Sequence, residues 1–207
     1  MSTSVLHYDE PELVGRLSNA SPEGRALFAA ASAERLFPLY ERYAARTDQE
    51  ALAQLRAALD AAWEAVAAEA ATEDLARWQE VAEALVPDEE DEGWVEDAAY
   101  GQNAAAAVAY ALRTRLTGDP QEAGWAARQI YDAADYAAQR QIDDDRAFSA
   151  PGAEEALLAT PVVQEALRSI QENLALVADA DQATPEELAR LKQDAHDAGQ
   201  RLAQLTG

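Results

Sequence analysis

A chain of 207 residues with 39 acids against 16 bases carries a formal charge of −23, so nucleic-acid phosphates and anionic membrane surfaces repel it. It contains no cysteine, which removes disulfides, thiolate metal ligands and thiol nucleophiles together. No apolar run reaches the roughly 18 to 20 residues of a membrane span, and MSTSVLHYDE lacks the basic and apolar regions of a signal peptide. The expected location is therefore the cytoplasm.

Residues 1–20 read as an N-terminal segment, loose through Tyr8, in which Asp9, Pro11 and Glu12 open a short helix toward Leu17. Residues 21–207 read as a single all-helical domain. Ser21-Pro22-Glu23 supplies an N-cap, a first-turn proline and an acid near the positive end of the helix dipole. That helix carries Leu27, Phe28, Ala31, Phe37, Tyr40 and Tyr43; Pro38 within it removes a backbone donor and predicts a kink or break near Leu36. Asp48 caps the next helix, with Leu52, Leu55, Leu59, Trp63 and Val66 on one stripe. Thr72 caps a shorter one, with Leu75, Trp78, Ala82 and Leu85 inward and Pro87 as its stop; Trp63 and Trp78 are read as core anchors.

The segment 87–93, PDEEDEG, is too densely charged for a buried stripe and is expected to be a solvated loop. From Trp94 to Thr117 small apolar side chains fall on every side of a helical period, the pattern of a helix buried all round. This segment is the predicted central rod. Gly118 ends it, and Asp119-Pro120-Gln121-Glu122 starts an antiparallel neighbour bearing Trp125, Ala126, Ile130, Ala133, Ala134 and Ala137. A second loop spans 143–153, followed by the short helix EEALLA, a start at Thr160-Pro161, and a capping box at Thr184 and Glu187. Leu188, Leu191, Ala195, Ala198, Leu202 and Leu205 then repeat every seven residues, suiting docking on the domain or a helix-pairing seam. No segment alternates with period two for long, so no strand is expected. The fold class is an all-α bundle of about seven to eight helices around a central Ala-rich helix.

Catalytic signals are absent. His7 lies in the loose start, and His196, beside Asp194 and Asp197, is expected to face solvent. There is no GxSxG elbow and no phosphate-cradling glycine loop. The Glu-x-x-His pattern of helical metal sites is missing, and Asp179-Ala-Asp181 begins like a calcium loop but has Ala183 at the third ligand position. No metal, no cofactor and no nameable catalytic residue are expected.

The candidate partner-binding residues are the two acidic loops and the aromatics beside them: Asp88, Glu89, Glu90, Asp91, Glu92 and Trp94, then Asp143, Asp144, Asp145 and Phe148. Clustered acids attract a cation over long range, and an aromatic flanked by charge suits an interface anchor. The leading reading is a non-enzymatic acidic interaction module for a basic protein partner, of immunity type or as a mimic of nucleic-acid charge. Two alternatives stand: a helical homo-oligomeric scaffold, and a small-ligand or metal-binding enzyme using inward carboxylates.

Several segments together resemble one known family. AERLFPLYERY, with Glu34, Arg35, Pro38 and Tyr40, is similar to the Cys-Glu-Arg-x-x-Pro-x-Tyr segment of a YjaG-like bacterial family defined only as a domain of unknown function, family 416. LDAAWEAV, with Leu59, Trp63 and Glu64, resembles its Leu-x-x-x-Trp-Glu stretch; ALVPDEEDE and TPVVQEAL resemble two further motifs, in the same order over residues 27–200. This chain departs from the pattern at Ala33, where the family has Cys, and at Asn103-Ala104, where it usually has Asp before the Ala run. The resemblance implies an all-helical fold and self-association, and no established activity. Glu34 and Arg35, neighbours in sequence, are expected to form a local ion pair beside Pro38, in a structural role.

Overall fold

A computed structural model describes residues 5–67, 72–88, 97–142 and 152–207, the side chains at 67, 179, 181 and 182 apart. Among these residues the chain forms nine α-helices and no strand: α1 (Glu10–Ser18), α2 (Pro22–Ala44), α3 (Gln49–Ala67), α4 (Thr72–Ala84), α5 (Ala98–Thr117), α6 (Pro120–Arg140), α7 (Ala153–Leu158), α8 (Pro161–Leu176) and α9 (Pro185–Leu205). A 3-10 turn, Val177–Gln182, separates α8 from α9. No helix among the described residues is long and apolar enough to cross a membrane.

The helix starts follow their capping chemistry. Asp9, Ser21, Asp48 and Asp119 each accept a first-turn backbone N–H, at 2.9, 3.0, 2.8 and 2.9 Å respectively. Thr184 and Glu187 form the full capping box. Thr160 departs from this pattern: its hydroxyl donates backward to the Leu157 carbonyl at 2.7 Å, so α8 starts on Pro161 without a side-chain cap. Gly118 ends α5 with φ of 69°, the left-handed conformation that favours glycine.

The centre of the bundle is α2, which corrects the expectation that the Ala-rich α5 is the rod. Fifteen consecutive residues, Ala26 to Tyr40, are all buried, and α2 packs against α3, α5, α6, α8, α9 and the 3-10 turn. Ser32, Glu34 and Arg35 disguised this in the sequence, because their polarity breaks an otherwise all-round apolar surface. α5 is its principal neighbour; it also packs on α3, α4 and α6, and none of its residues before Thr117 is exposed. α6 returns antiparallel, as Tyr100 against Tyr136, Tyr110 against Trp125 and Arg113 against Glu122 show by their matched offsets.

Two further expectations fail for physical reasons. α2 continues through Pro38 to Ala44 without a break. The missing donor leaves one carbonyl, that of Glu34, without its usual i+4 partner, and packing on all sides holds the helix together. Of the expected loose start, residues 1–4 lie outside the described residues and residues 5–8 are not loose: Val5, His7 and Asp9 are exposed, whereas Leu6, Tyr8 and Glu10 are half-buried against helices. Trp78 is half-buried on the core edge, less enclosed than expected.

α9 lays its apolar face on α2, with Leu188, Ala195, Ala198 and Leu202 buried and Leu205 exposed. The crossing point is Gly199, where a β-carbon would stand 2.3 Å from the Arg35 carbonyl oxygen. Backbone cannot yield as a flexible side chain does. Gly199→Ala should therefore separate the helices and lower stability by about 1–3 kcal/mol, read from the urea midpoint; an unchanged midpoint would mean that α9 does not sit this close.

Candidate functional site

Buried acids mark where chemistry could occur, and each here has a cation beside it. Glu34, on α2, is 1% exposed. Its Oε1 accepts from Arg56 Nη1 at 2.8 Å, and its Oε2 from Arg56 Nη2 at 2.9 Å and Trp63 Nε1 at 3.0 Å. His196 Nδ1, from α9, lies 3.1 Å from Oε1. Two family-like motifs thus meet in one contact, Glu34 with Trp63. The cluster extends outward through Asp60, which accepts from Arg56 Nε at 2.8 Å and from Lys192 Nζ at 2.6 Å. Stacking of the Arg56 guanidinium on the Phe37 ring, 4.4 Å to its centre, completes the packing. Its carboxylate partners hold the Arg56 guanidinium above its ordinary pKa against the opposing effect of burial.

The imidazole of His196 is correspondingly half-buried and tied to a carboxylate, not solvent-facing as expected. Its Nε2 faces Gln200 at 3.3 Å. A carboxylate orienting an imidazole is the arrangement that serves general bases and metal ligands. Among the described residues, however, no hydroxyl bonds to it, and no group of three or more His, Asp or Glu could hold a metal ion.

Arg35 does not pair with Glu34, contrary to the expected local ion pair. Successive residues of a helix point about 100° apart, and the two side chains leave α2 toward different neighbours. Arg35 donates to Asn173 Oδ1 (2.8 Å), Ser169 Oγ (3.2 Å) and Glu172 Oε2 (3.0 Å), all on α8. Asn173 in turn donates to Ser32 Oγ at 3.1 Å. Tyr40 reaches the Leu85 carbonyl beyond α4 at 3.5 Å.

The other buried acids follow the same rule. Asp97, ahead of α5, pairs with Arg42 and Arg46, each at 3.2 Å. Arg42 also donates to the Ala203 and Gly207 carbonyls and to Thr206 Oγ1, which ties it to the end of α9 and the residues just beyond. Glu122 pairs with Arg113 at 2.6 Å, but its other oxygen is buried without a partner. Burial raises the Glu122 carboxyl above its ordinary value, Arg113 opposes the shift, and Asp119 and Glu83 add to it.

Of the expected partner-binding residues, only Asp88 is described, and it is exposed beyond α4. Glu89, Glu90, Asp91, Glu92, Trp94, Asp143, Asp144, Asp145 and Phe148 lie outside the described residues. Glu64 is exposed and lines an open groove with Asp60, Trp63, Pro185, Leu188, Ala189 and Lys192. Asn103 makes a bond local to its helix, to the Ala99 carbonyl at 2.8 Å. Arg56, Asp60 and Lys192 were missed; their signal was the i,i+4 spacing of Arg56 with Asp60 and of Lys192 with His196, which puts each pair on one helix face.

Glu34→Gln should cost about 2 kcal/mol, because it weakens the bonds from Arg56 and Trp63 to a charged acceptor while Arg56 keeps Asp60. Trp63→Phe should cost about 1.5 kcal/mol for a bond to a charged acceptor. The double variant should lose less than their sum, and additive losses in a denaturant cycle would mean that the two side chains are uncoupled. For Glu122 the raised pKa means that the folded state holds its proton longer than the unfolded chain. Its contribution is full below the ordinary value of 4.5 and is lost as pH rises through the folded value. Wild-type stability should fall with pH across that window relative to Glu122→Gln; parallel profiles would contradict the assignment.

Comparison with known proteins agrees with this fold. No curated protein matches the chain. The crystal structure of a DUF416 family protein from Shewanella baltica OS155 superposes with a TM-score of 0.75 at 16% identity, covering 89% of this chain and 93% of that one. The model of the family described as "Protein of unknown function (DUF416)" matches residues 12–201. Most of the chain, the Glu34 cluster included, lies within that match, and the chain belongs to the DUF416 family.

Proposed function

We propose that the protein is a non-enzymatic interaction module that presents an acidic surface to a basic protein partner. The observation that carries this reading is the outer face of α4. Glu73, Asp74, Glu80 and Glu83 are all exposed there, and they lead directly into Asp88 and the acidic run that follows. The one cation on this helix, Arg77, lies over the Trp78 ring at 5.3 Å. Such a surface accelerates encounter with a cation and excludes anionic partners.

The buried residues support the same reading by what they leave over. Glu34, Asp97 and Glu122 each sit beside an arginine, so the described interior offers no two unpaired carboxylates for acid and base roles. Burial of Leu188, Ala195, Ala198 and Leu202 on the bundle favours docking over a helix-pairing seam for α9.

Capture of partners from the native lysate tests the reading. A basic protein should be retained at low salt and released at high salt. Replacing Glu73, Asp74 and Glu80 by their amides should lower its capture roughly tenfold while leaving the melting temperature nearly unchanged. Salt-insensitive partners, or undiminished capture by the amide variant, would count against the proposal.

A further inference from the structure

Residues Val5 to Asp9 belong to no helix, yet their burial alternates with period two, exposed at 5, 7 and 9 and half-buried at 6, 8 and 10. That is the signature of extended chain with one side against a surface. The surface here is helical, formed by α6 and α8, and it holds the strap in two ways.

Gln164, in the first turn of α8, handles the main chain. Its Oε1 accepts from the Leu6 N–H at 2.9 Å and its Nε2 donates to the Leu6 carbonyl at 3.0 Å. The same nitrogen donates to the Leu158 carbonyl at 2.9 Å, which fixes the orientation of the amide. One side chain thereby satisfies both backbone groups of one residue, as a neighbouring strand does, without reading its side chain. Tyr131, on α6, handles the aromatic position: its ring lies 4.9 Å from that of Tyr8, at 13°. Beyond the strap, Glu10 is anchored to Gln121 and Arg128 and α1 buries Leu13 and Leu17, so the strap has a fixed end at Asp9.

The resident sequence fits imperfectly. The Tyr8 hydroxyl is buried and has no partner, and such a group loses its hydration without compensation. Phenylalanine at the same position would keep the stack and drop that penalty. Val5, at 43%, is one of the two large apolar side chains left exposed among the described residues.

We propose that the α6–α8 surface is a docking groove for an extended segment of a partner protein that reads apolar-x-aromatic, and that Leu6 to Tyr8 is its intramolecular occupant. The strap acts as a tethered competitor at roughly millimolar effective concentration, so a partner segment enters only by matching it closely. This groove is a different face from the acidic surface of α4 and does not depend on it.

The test uses the full chain and fluorescent peptides with the sequence of residues 2–8, carrying either the native Tyr or Phe at the last position. Leu6→Asp/Tyr8→Ser frees the groove and should bind the peptide at least tenfold more tightly than wild type does. The Phe peptide should bind several-fold tighter than the Tyr peptide, and adding Gln164→Ala should abolish binding. Failure of the folded, strap-released variant to bind, or indifference to Gln164→Ala, overturns the proposal. Strap-dependent dimers of wild type without peptide binding also overturn it, in favour of a second copy as the occupant. If the released variant loses its helicity, hydrogen exchange of wild type decides. Saturating Phe peptide, and not a scrambled one, should speed exchange of the Leu6 amide, whereas a protected amide overturns the proposal.

Discussion

The all-round burial of α2 is the constraint on which the rest of the bundle depends. A helix surrounded on every side has no solvent face on which to leave a polar side chain, so each one it carries needs a partner from another helix. Glu34 finds Arg56, Trp63 and His196; Arg35 finds Ser169, Glu172 and Asn173; Ser32 donates to the carbonyl of Phe28 and accepts from Asn173. The polar groups therefore fix which helices surround α2 and at what height. Apolar contact among small side chains alone would leave that register weakly specified. Gly199 adds a steric condition to the electrostatic ones, because the backbones of α2 and α9 touch where the Arg35 carbonyl passes.

This arrangement sorts the charges by sign and position. The scarce cations are used on carboxylates in or near the interior, as with Arg42, Arg56 and Arg113, and on aromatic faces, as with Arg56 on Phe37. The abundant acids are left to the surface, most plainly along α4.

The sequence reveals the helices well, because caps and prolines act locally: Asp9, Ser21, Asp48, Asp119 and the Thr184 box all bond as their spacing predicts. It reveals the centre poorly. Alanine content pointed to α5, whereas α2 is more deeply enclosed, and nothing local in GluArg tells that the two residues turn toward different helices. His196 shows the same limit: between Asp194 and Asp197 it looks solvated, and only the approach of α9 to α2 brings it to Glu34. The strap was illegible for another reason. Its alternation covers about one strand's length, and its hydrogen-bonding partner is a side-chain amide 158 residues away rather than a strand.

The position of α2 also orders events during synthesis. Arg56 follows Glu34 by 22 residues and can pair with it early, but Asn173, the first partner of Arg35, follows by 138 and His196 follows Glu34 by 162. Domains generally fold as units, and contacts between distant segments are the slow ones to form. The nascent chain thus carries its future centre with one flank open until α8 and α9 have been made. Completion of the core waits for α8 and α9, and through that interval the Ala26–Tyr40 surface depends on partial packing against α3, α5 and α6 to keep it from other chains.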